Sequence, residues 1–597
     1  MAVNVGKKYI VLKWFVAALL FVVVLLSALT WYLGMKLKPV ITAEVKELFL
    51  KTTDNLYQIE FSNVSINVLT GISSLTNVKI IPDTAVYQRM IATKKAPNNL
   101  YYIKLKKLAV RNFHPWRLWR EKRLNIDLLL FDNPCVEMTN RQFEFNEGKL
   151  PQPQKSPYDY ISKYLKELRI ETIEFKNASF TYIDNNNVAK PEIDKMDHLN
   201  VTLKDWLIDS HSAMDRSRLY LLKDVVINLN NYTYPTPDSL YYIKLNQLDF
   251  TASSGKLNIK SFNVEPRYTE QLFGSTLGYA TDRYSIQLSN IGLNGINLPL
   301  YVLKQELVAK EMNIANGMVA VVYNNTLPKR IIDKTGRYPH QLLQKAKGKL
   351  NIEQLNVNDV DISYGEFDKE GKNKGIITFE HTSGSISNLT NVEKALAKNH
   401  FMVANLNSFV MGAGKLDVNF KFNLTAEDGA FSYSGALQGM EARMFNRITK
   451  PLGLVRFNKG SIKKLAFDIE ANDKLAKGTL NFAYNDLSVA LLKKVKGEDR
   501  LVKQGLMSFL ANAMIINSDN PDNDGVFVTA PILKERVPTA SFFNFIWKTL
   551  FQGIRYSVGL TPQKEQKVKE QIAKFNRMKA DRQERQKRRA ERLKKHK

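Results

Sequence analysis

The clearest pattern in this sequence is a segment of alternating apolar and polar residues that recurs four times. Such alternation is typical of a β-strand with one apolar face. The copies within a pair lie 44 and 43 residues apart, and the two pairs are offset by 183 and 182 residues. This regularity predicts a repeating, mainly β fold built from the copies Leu124–Met138, Leu168–Tyr182, Leu307–Val321 and Leu350–Tyr364.

The alternation changes phase twice at the same places in several copies. In the second copy Leu168 and Ile170 share one parity, whereas Ile173 and Phe175 have the other. One extra residue beside an Asn or Asp is typical of a β-bulge or tight turn, which adds twist to a sheet. We therefore predict an extended, curled sheet in which the copies stack in register.

Short helical segments are predicted between the strands. Tyr158–Glu167, Leu298–Glu306 and Pro339–Lys347 each lie just before a copy of the repeat. They are interpreted as crossing helices or caps between segments of the sheet.

The longest uncharged stretch is Trp14–Met35, with 22 residues. At 1.5 Å per residue it spans roughly 33 Å, enough to cross the hydrocarbon core of a bilayer. The run is too long for a cleaved signal peptide, and Trp31 and Tyr32 lie where cleavage would occur. We predict an uncleaved membrane helix at 14–35, with residues 1–13 in the cytoplasm and the rest of the chain outside it.

A second apolar periodicity occurs near the C-terminus, where an amphipathic helix is predicted over residues 539–562. It would either lie in a membrane interface or close the end of the sheet. The candidate membrane-interface residues are Phe543, Trp547 and Phe551.

Of the formal net charge of +28, +10 lies in a predicted basic helical tail, and the rest is spread along the chain. Residues 563–597 hold 15 Lys and Arg against 5 Asp and Glu. The tail is either solvated or in contact with anionic lipid headgroups of a membrane. Nucleic acid is not expected as a partner, because the predicted topology removes the tail from the cytoplasm.

Composition excludes several classes of function. Cys135 is the single cysteine, so no intramolecular disulfide can form, and the seven histidines are scattered without metal-binding spacing. The acidic run Asp519–Asp524 lacks calcium-loop spacing. A search for nucleophile elbows, paired histidines and carboxylate pairs finds no specific signal. We expect no enzyme activity, no metal and no cofactor.

The segment Leu108–Met138 carries a resemblance to a known family. A strand is followed by a Trp-Arg-Leu-Trp turn, a basic strand and an apolar strand that runs into Asn-Pro. This resembles the AsmA-like family, and Ile59–Val68 followed by Leu75–Ile81 looks like the opening of that family's first domain. The resemblance implies a periplasmic β-groove protein of the bacterial inner membrane, similar in architecture to chorein-type bridge lipid-transfer proteins. The basic tail departs from that family's pattern.

The predicted domains are an AsmA-like β domain at 39–150 and a repeating β-groove region at 151–538. The leading hypothesis is transfer of phospholipids between the inner and outer membranes, with the chain's ends contacting the membranes. The alternative is a non-enzymatic envelope scaffold with a dry core, and the cross-section of the sheet separates the two. The candidate groove residues are Ile173, Phe175, Phe180, Leu355, Val357 and Ile362.

Overall fold

A computed structural model describes most of residues 46–561 and isolated positions from 563 to 586. The gaps are residues 48, 68–71, 148–155, 187–191, 213, 216, 370, 453–454, 492, 495–500 and 503–516. The predicted membrane helix at 14–35 lies outside the described residues, as does most of the basic tail. Within the described part, no helix has both the length and the apolar character to cross a membrane.

The described chain is mainly β, which confirms the predicted fold class at this level, and 22 of its strands are in mixed β-sheet. It divides into two compact units. Unit 1 holds the described residues up to Glu265 with Asn290–Pro299, and unit 2 holds Pro266–Ser289 and the residues from Leu300 onward.

The first twelve strands lie in unit 1 or end at its boundary. They are β1 Tyr57–Glu60, β2 Asn63–Asn67, β3 Ile72–Pro82, β4 Asn99–Phe113, β5 Arg123–Asp132, β6 Cys135–Asn140, β7 Glu167–Asp184, β8 Glu192–Ile208, β9 Asp224–Leu229, β10 Tyr232–Pro235, β11 Tyr241–Thr251 and β12 Lys256–Pro266. Most neighbours are antiparallel, but β7 runs parallel to both β5 and β6.

The later strands include several that are much longer than an average strand. They are β13 Asp282–Asn294, β14 Glu306–Asn324, β15 Lys349–Phe367, β16 Lys374–Thr390, β17 Phe401–Val410, β18 Gly414–Asn423, β19 Phe431–Glu441, β20 Val455–Ala471, β21 Leu475–Leu491, β22 Lys493–Lys494, β23 Leu501–Val502 and β24 Thr529–Glu535. In unit 2, β14 is parallel to β15, and an antiparallel series then runs from β15 through β21 to β24.

Short helices occur before copies of the repeat, as the sequence predicts, but each of the three predicted helices ends two to six residues earlier than expected, because Glu167 and Glu306 already belong to strands. The helices are α1 Thr84–Ala92, α2 Pro115–Glu121, α3 Pro157–Ile161, α4 Glu270–Leu277, α5 Leu298–Lys304, α6 Pro339–Lys345, α7 Glu393–Leu396, α8 Asn446–Thr449 and α9 Phe542–Ser557, with 3-10 turns at Glu144–Asn146 and Ala442–Phe445. Parallel neighbours need a crossover connection, and α3 and α6 lie in the two crossovers.

The copies of the repeat pair side by side in register. Leu124 lies opposite Leu168 in the β5–β7 ladder, and this shift of 44 residues continues into β6, where Met138 lies opposite Tyr182. In unit 2, Leu307 of β14 lies opposite Leu350 of β15, a shift of 43 residues. The spacing of the repeat in the sequence is therefore the register of each parallel ladder.

Each unit has a packed apolar core. In unit 1 the core includes Leu124, Ile126, Leu168, Ile170 and Ile173, which are all buried in one cluster. Residues on both sides of the change in parity thus reach the same core.

Candidate functional site

A continuous apolar row crosses seven neighbouring strands of unit 2. Because directly opposed residues in a ladder project from the same face, these side chains share one side of the sheet. We call this set the apolar row; from β14 to β20 it consists of Met312, Leu355, Ile386, Ala404, Phe420, Tyr433 and Ile469.

Burial changes along the apolar row. Ile469 is 0% and Tyr433 2% exposed, and both belong to the packed core of unit 2. Met312 and Leu355, at the other end, are only partly buried, and neither belongs to that core. The row is therefore covered near β19 and β20 and open to a greater extent at β14 and β15.

The adjacent row on the other face of the same strands is polar. Asn356 donates from Nδ2 to Glu311 Oε1 at 2.8 Å and to Asn313 Oδ1 at 2.9 Å. Side chains of this kind are satisfied by water and by one another, and they do not require a second layer of protein. The polar row consists of Asn313, Asn356, Ser385, Asn405, Asn419, Ser434 and Asp468.

The other groove candidates of unit 2 also have apolar or glycine neighbours. Val357 lies between Ile314 and Gly384 in the two ladders. Ile362 lies between Val319 and Phe379. Val357 and Ile362 are partly buried.

Unit 1 has an apolar row of its own, but its candidate residues differ in burial. Ile173 is 6% exposed and lies within the packed core. Phe175 is partly buried against that core, and Phe180 is partly buried outside it, opposite Val136 and Met196. The row through Phe175 consists of Phe131, Phe175, Val201, Ile227 and Phe250.

The predicted bulges are present in both units. Asn177 and Asp359 have left-handed φ values of 51° and 54°, and the ladder register shifts beside each. A histidine with positive φ faces each of them across the ladder: His198 Nδ1 lies 3.1 Å from Asn177 Oδ1, and His381 Nδ1 lies 2.7 Å from Asp359 Oδ1. The side chains thus bridge the extra residue to the next strand.

The second bulge also places three metal-ligating side chains together. Asp359, Asp361 and His381 have ligand atoms within 4.8 Å of one another, and all three are exposed. Asp361 already accepts the backbone N–H of His381 at 2.8 Å. The equivalent bulge of unit 1 keeps the histidine contact with an asparagine, which favours a structural role for the contact over metal binding. The hydrogen bond and charge of Asp359 raise the pKa of His381.

Helix α9 closes the end of the sheet with one face and exposes the other. Phe545 is 2% exposed in the core, and Gly553 lets the helix approach β21 so closely that an added Cβ would lie 2.9 Å from Leu480 Cβ. The three candidate membrane-interface residues point outward and are exposed: Phe543, Trp547 and Phe551.

No family model matches this chain, and no curated protein matches it.

Several residues of the candidate site cannot be recognised by apolar periodicity alone. The most buried stripe of α9 contains the small residues Thr549, Gly553 and Ser557 below Phe545. The more apolar stripe through Ile546 and Leu550 is only partly buried. Close packing of a helix on a sheet uses small side chains, and these carry no hydrophobic signal in a sequence.

Proposed function

We propose that this protein is a membrane-anchored periplasmic β-groove protein that handles phospholipids and transfers them between the inner and outer membranes. The observation that carries the proposal is the apolar row, which extends beyond the packed core to partly exposed side chains at β14 and β15. The resemblance of the segment Leu108–Met138 to the AsmA-like family favours the same function. No catalytic step is part of the proposal.

The open end of the apolar row requires a cover that removes its side chains from water. Each CH₂ group removed from water contributes about 0.8 kcal/mol, so an acyl chain along the row is held by burial alone. The row supplies apolar contacts from successive strands about 4.8 Å apart, which suits an extended chain laid across them. The headgroup would remain in water, and a specific headgroup pocket would not be needed.

The outer face of α9 supports membrane contact at one end of unit 2. The rings of Trp547 and Phe551 are 5.7 Å apart, and the guanidinium of Arg555 lies 6.0 Å from the centre of the Phe551 ring. Aromatic residues with basic neighbours suit the headgroup boundary of a membrane.

A non-enzymatic envelope scaffold is the second candidate, because both units have filled cores. A scaffold with a dry core would hold its shape without lipid, and the packed clusters around Ile170 and Ile469 fit that description. The two functions differ in what touches Leu355 and Val357: phospholipid in one case and only protein or water in the other.

Mass spectrometry of lipids that co-purify with the full-length protein tests the proposal. We expect phospholipid with the natural sequence and a clear loss with Val357→Asp, because Val357 lies two residues from Leu355 on the same face of β15 and a charge there disfavours acyl chains. Asn356→Asp, on the polar row, is the matched control and should retain the lipid. Equal lipid content in both variants, with both folded, would favour the scaffold.

A further inference from the structure

Helix α2 presents two tryptophans to solvent on the surface of unit 1. Trp116 is 64% and Trp119 59% exposed, and their ring centroids are 5.2 Å apart. Leu118, between them in the sequence, packs against the core and so fixes which side of the helix faces outward. Large rings so exposed usually mark an interaction surface.

The surroundings of these two rings are basic. Arg117, Arg120 and Lys122 are exposed. The nearby carboxylate of Glu121 lies 3.5 Å from the guanidinium of Arg123, an ion pair that offsets its charge. The surface around the rings thus has a clear excess of positive charge.

A third exposed aromatic comes from the next copy of the repeat, because the copies pair in register. The backbone N–H of Lys166 donates to the carbonyl of Lys122 at 2.8 Å, which joins the segment before β7 to the segment before β5. Tyr164, in the segment before β7, is 72% exposed, and its neighbour Lys163 is also exposed. Two successive copies of the repeat thus contribute aromatic and basic side chains at one edge of the sheet.

We propose that this surface, the Trp116 patch, docks on an anionic phospholipid membrane. The patch consists of Trp116, Trp119, Tyr164, Arg117, Arg120 and Lys122. Tryptophan and tyrosine rings favour the headgroup boundary, where the apolar ring body leaves water while its polar edge stays hydrated. Arginine and lysine beside them attract anionic headgroups, so the rings and the charges favour the same environment.

The proposal is independent of lipid transport through the groove. The Trp116 patch lies on unit 1 and shares no residue with the apolar row or with the outer face of α9. A protein that docks by this patch could equally be a scaffold, so the two proposals fail separately.

Photocrosslinking in the full-length protein tests the docking directly. Trp119 is replaced by p-benzoylphenylalanine, and the protein is reconstituted into vesicles of phosphatidylcholine, with or without about one-third phosphatidylglycerol. We expect lipid adducts at position 119 that increase strongly when phosphatidylglycerol is present. Arg117→Gln with Arg120→Gln should reduce this gain by roughly 25-fold, since each basic side chain near an anionic surface contributes a factor of about 5.

The matched control places the same crosslinker at Ile193, which is 59% exposed and lies between Glu192 and Asp194. It should give few lipid adducts in either vesicle. Adducts to protein in place of lipid at position 119, lipid adducts equal to the control, or no response to phosphatidylglycerol would each overturn the proposal.

Discussion

Phe131 and Phe175 stack with their ring centroids 4.5 Å apart and their planes 10° from parallel. The two residues occupy the same position in the first and second copies of the repeat, and they lie opposite each other in the parallel β5–β7 ladder. The contact therefore joins neighbouring copies through equivalent side chains, as stacked units of a repeat protein do.

Replacing Phe175 by Ala removes this stack and opens a gap beside the core of unit 1. We expect the free energy of unfolding to fall by about 2 kcal/mol, less than for a fully buried Phe, because Phe175 is only partly buried. Phe180→Ala is the matched control in the same strand, outside the packed core, and should cost less. Denaturant unfolding measures both variants, and equal costs would show that the stack is not what holds the copies together.

Arg536 and Asp473 form a buried ion pair beside α6. Their side chains are 1% and 7% exposed, and the guanidinium also lies over the Tyr338 ring at 4.3 Å. Asp473→Asn should lower the free energy of unfolding by about 3 to 5 kcal/mol, because it leaves a buried charge without a counter-charge. Glu470→Gln, which breaks an exposed pair with Lys477, should cost less than about 1 kcal/mol. Similar losses in the two variants would contradict this explanation.

His340 predicts a dependence of stability on pH. The ring is 1% exposed, with its centroid 5.0 Å from that of Phe422, and burial lowers its pKa from 6.5 to about 4. Between these values the unfolded chain binds a proton that the folded chain does not, so the free energy of unfolding falls as pH falls. The expected loss from pH 6.5 to 4 is about 3 kcal/mol, from 1.36 kcal/mol per pKa unit.

Denaturant unfolding at a series of pH values measures this loss. In His340→Phe, which keeps an aromatic ring among the neighbouring rings, that part of the pH dependence should disappear. An unchanged slope in the variant would assign the pH dependence to other groups.

We expect the outer face of α9 to contact anionic membranes in the folded protein. A fluorophore sensitive to polarity is attached at Phe543→Cys in a Cys135→Ser background, and the full-length protein is placed in anionic vesicles. We expect a blue shift at position 543, because the exposed ring position enters the headgroup boundary. The same fluorophore at Glu535→Cys, an exposed polar position in β24, is the control. A fluorophore at position 543 that reports water in both environments would limit α9 to closing the sheet.

The register of the two parallel ladders could be predicted because it equals the spacing of the repeat in the sequence. A parallel ladder places residue i of one copy beside residue i of the next, so spacings of 44 and 43 residues become Leu124 opposite Leu168 and Leu307 opposite Leu350. The bulges at Asn177 and Asp359 were recognisable for the same reason, as changes in parity at matching places. Such features depend on local chemistry and on periodicity.

Burial along an apolar row could not be predicted in this way. Ile173 and Leu355 occupy equivalent positions in their copies, yet Ile173 lies in a packed core and Leu355 is only partly covered. The two residues differ in burial because other strands and helices pack over Ile173 and cover Leu355 less. That packing depends on contacts between residues far apart in the chain. The exposed Trp116 and Trp119 also appear apolar in the sequence, and only the structure shows that they face outward.

The most direct test of the groove is photocrosslinking at two adjacent residues of β15 that project from opposite faces. Leu355 belongs to the apolar row and Asn356 to the polar row. Each is replaced in turn by p-benzoylphenylalanine in the full-length protein, which is irradiated in its native membranes and analysed by mass spectrometry. We predict phospholipid adducts at position 355 and few or none at position 356, whereas equal labelling at both positions, or no lipid adduct at position 355, would contradict the account.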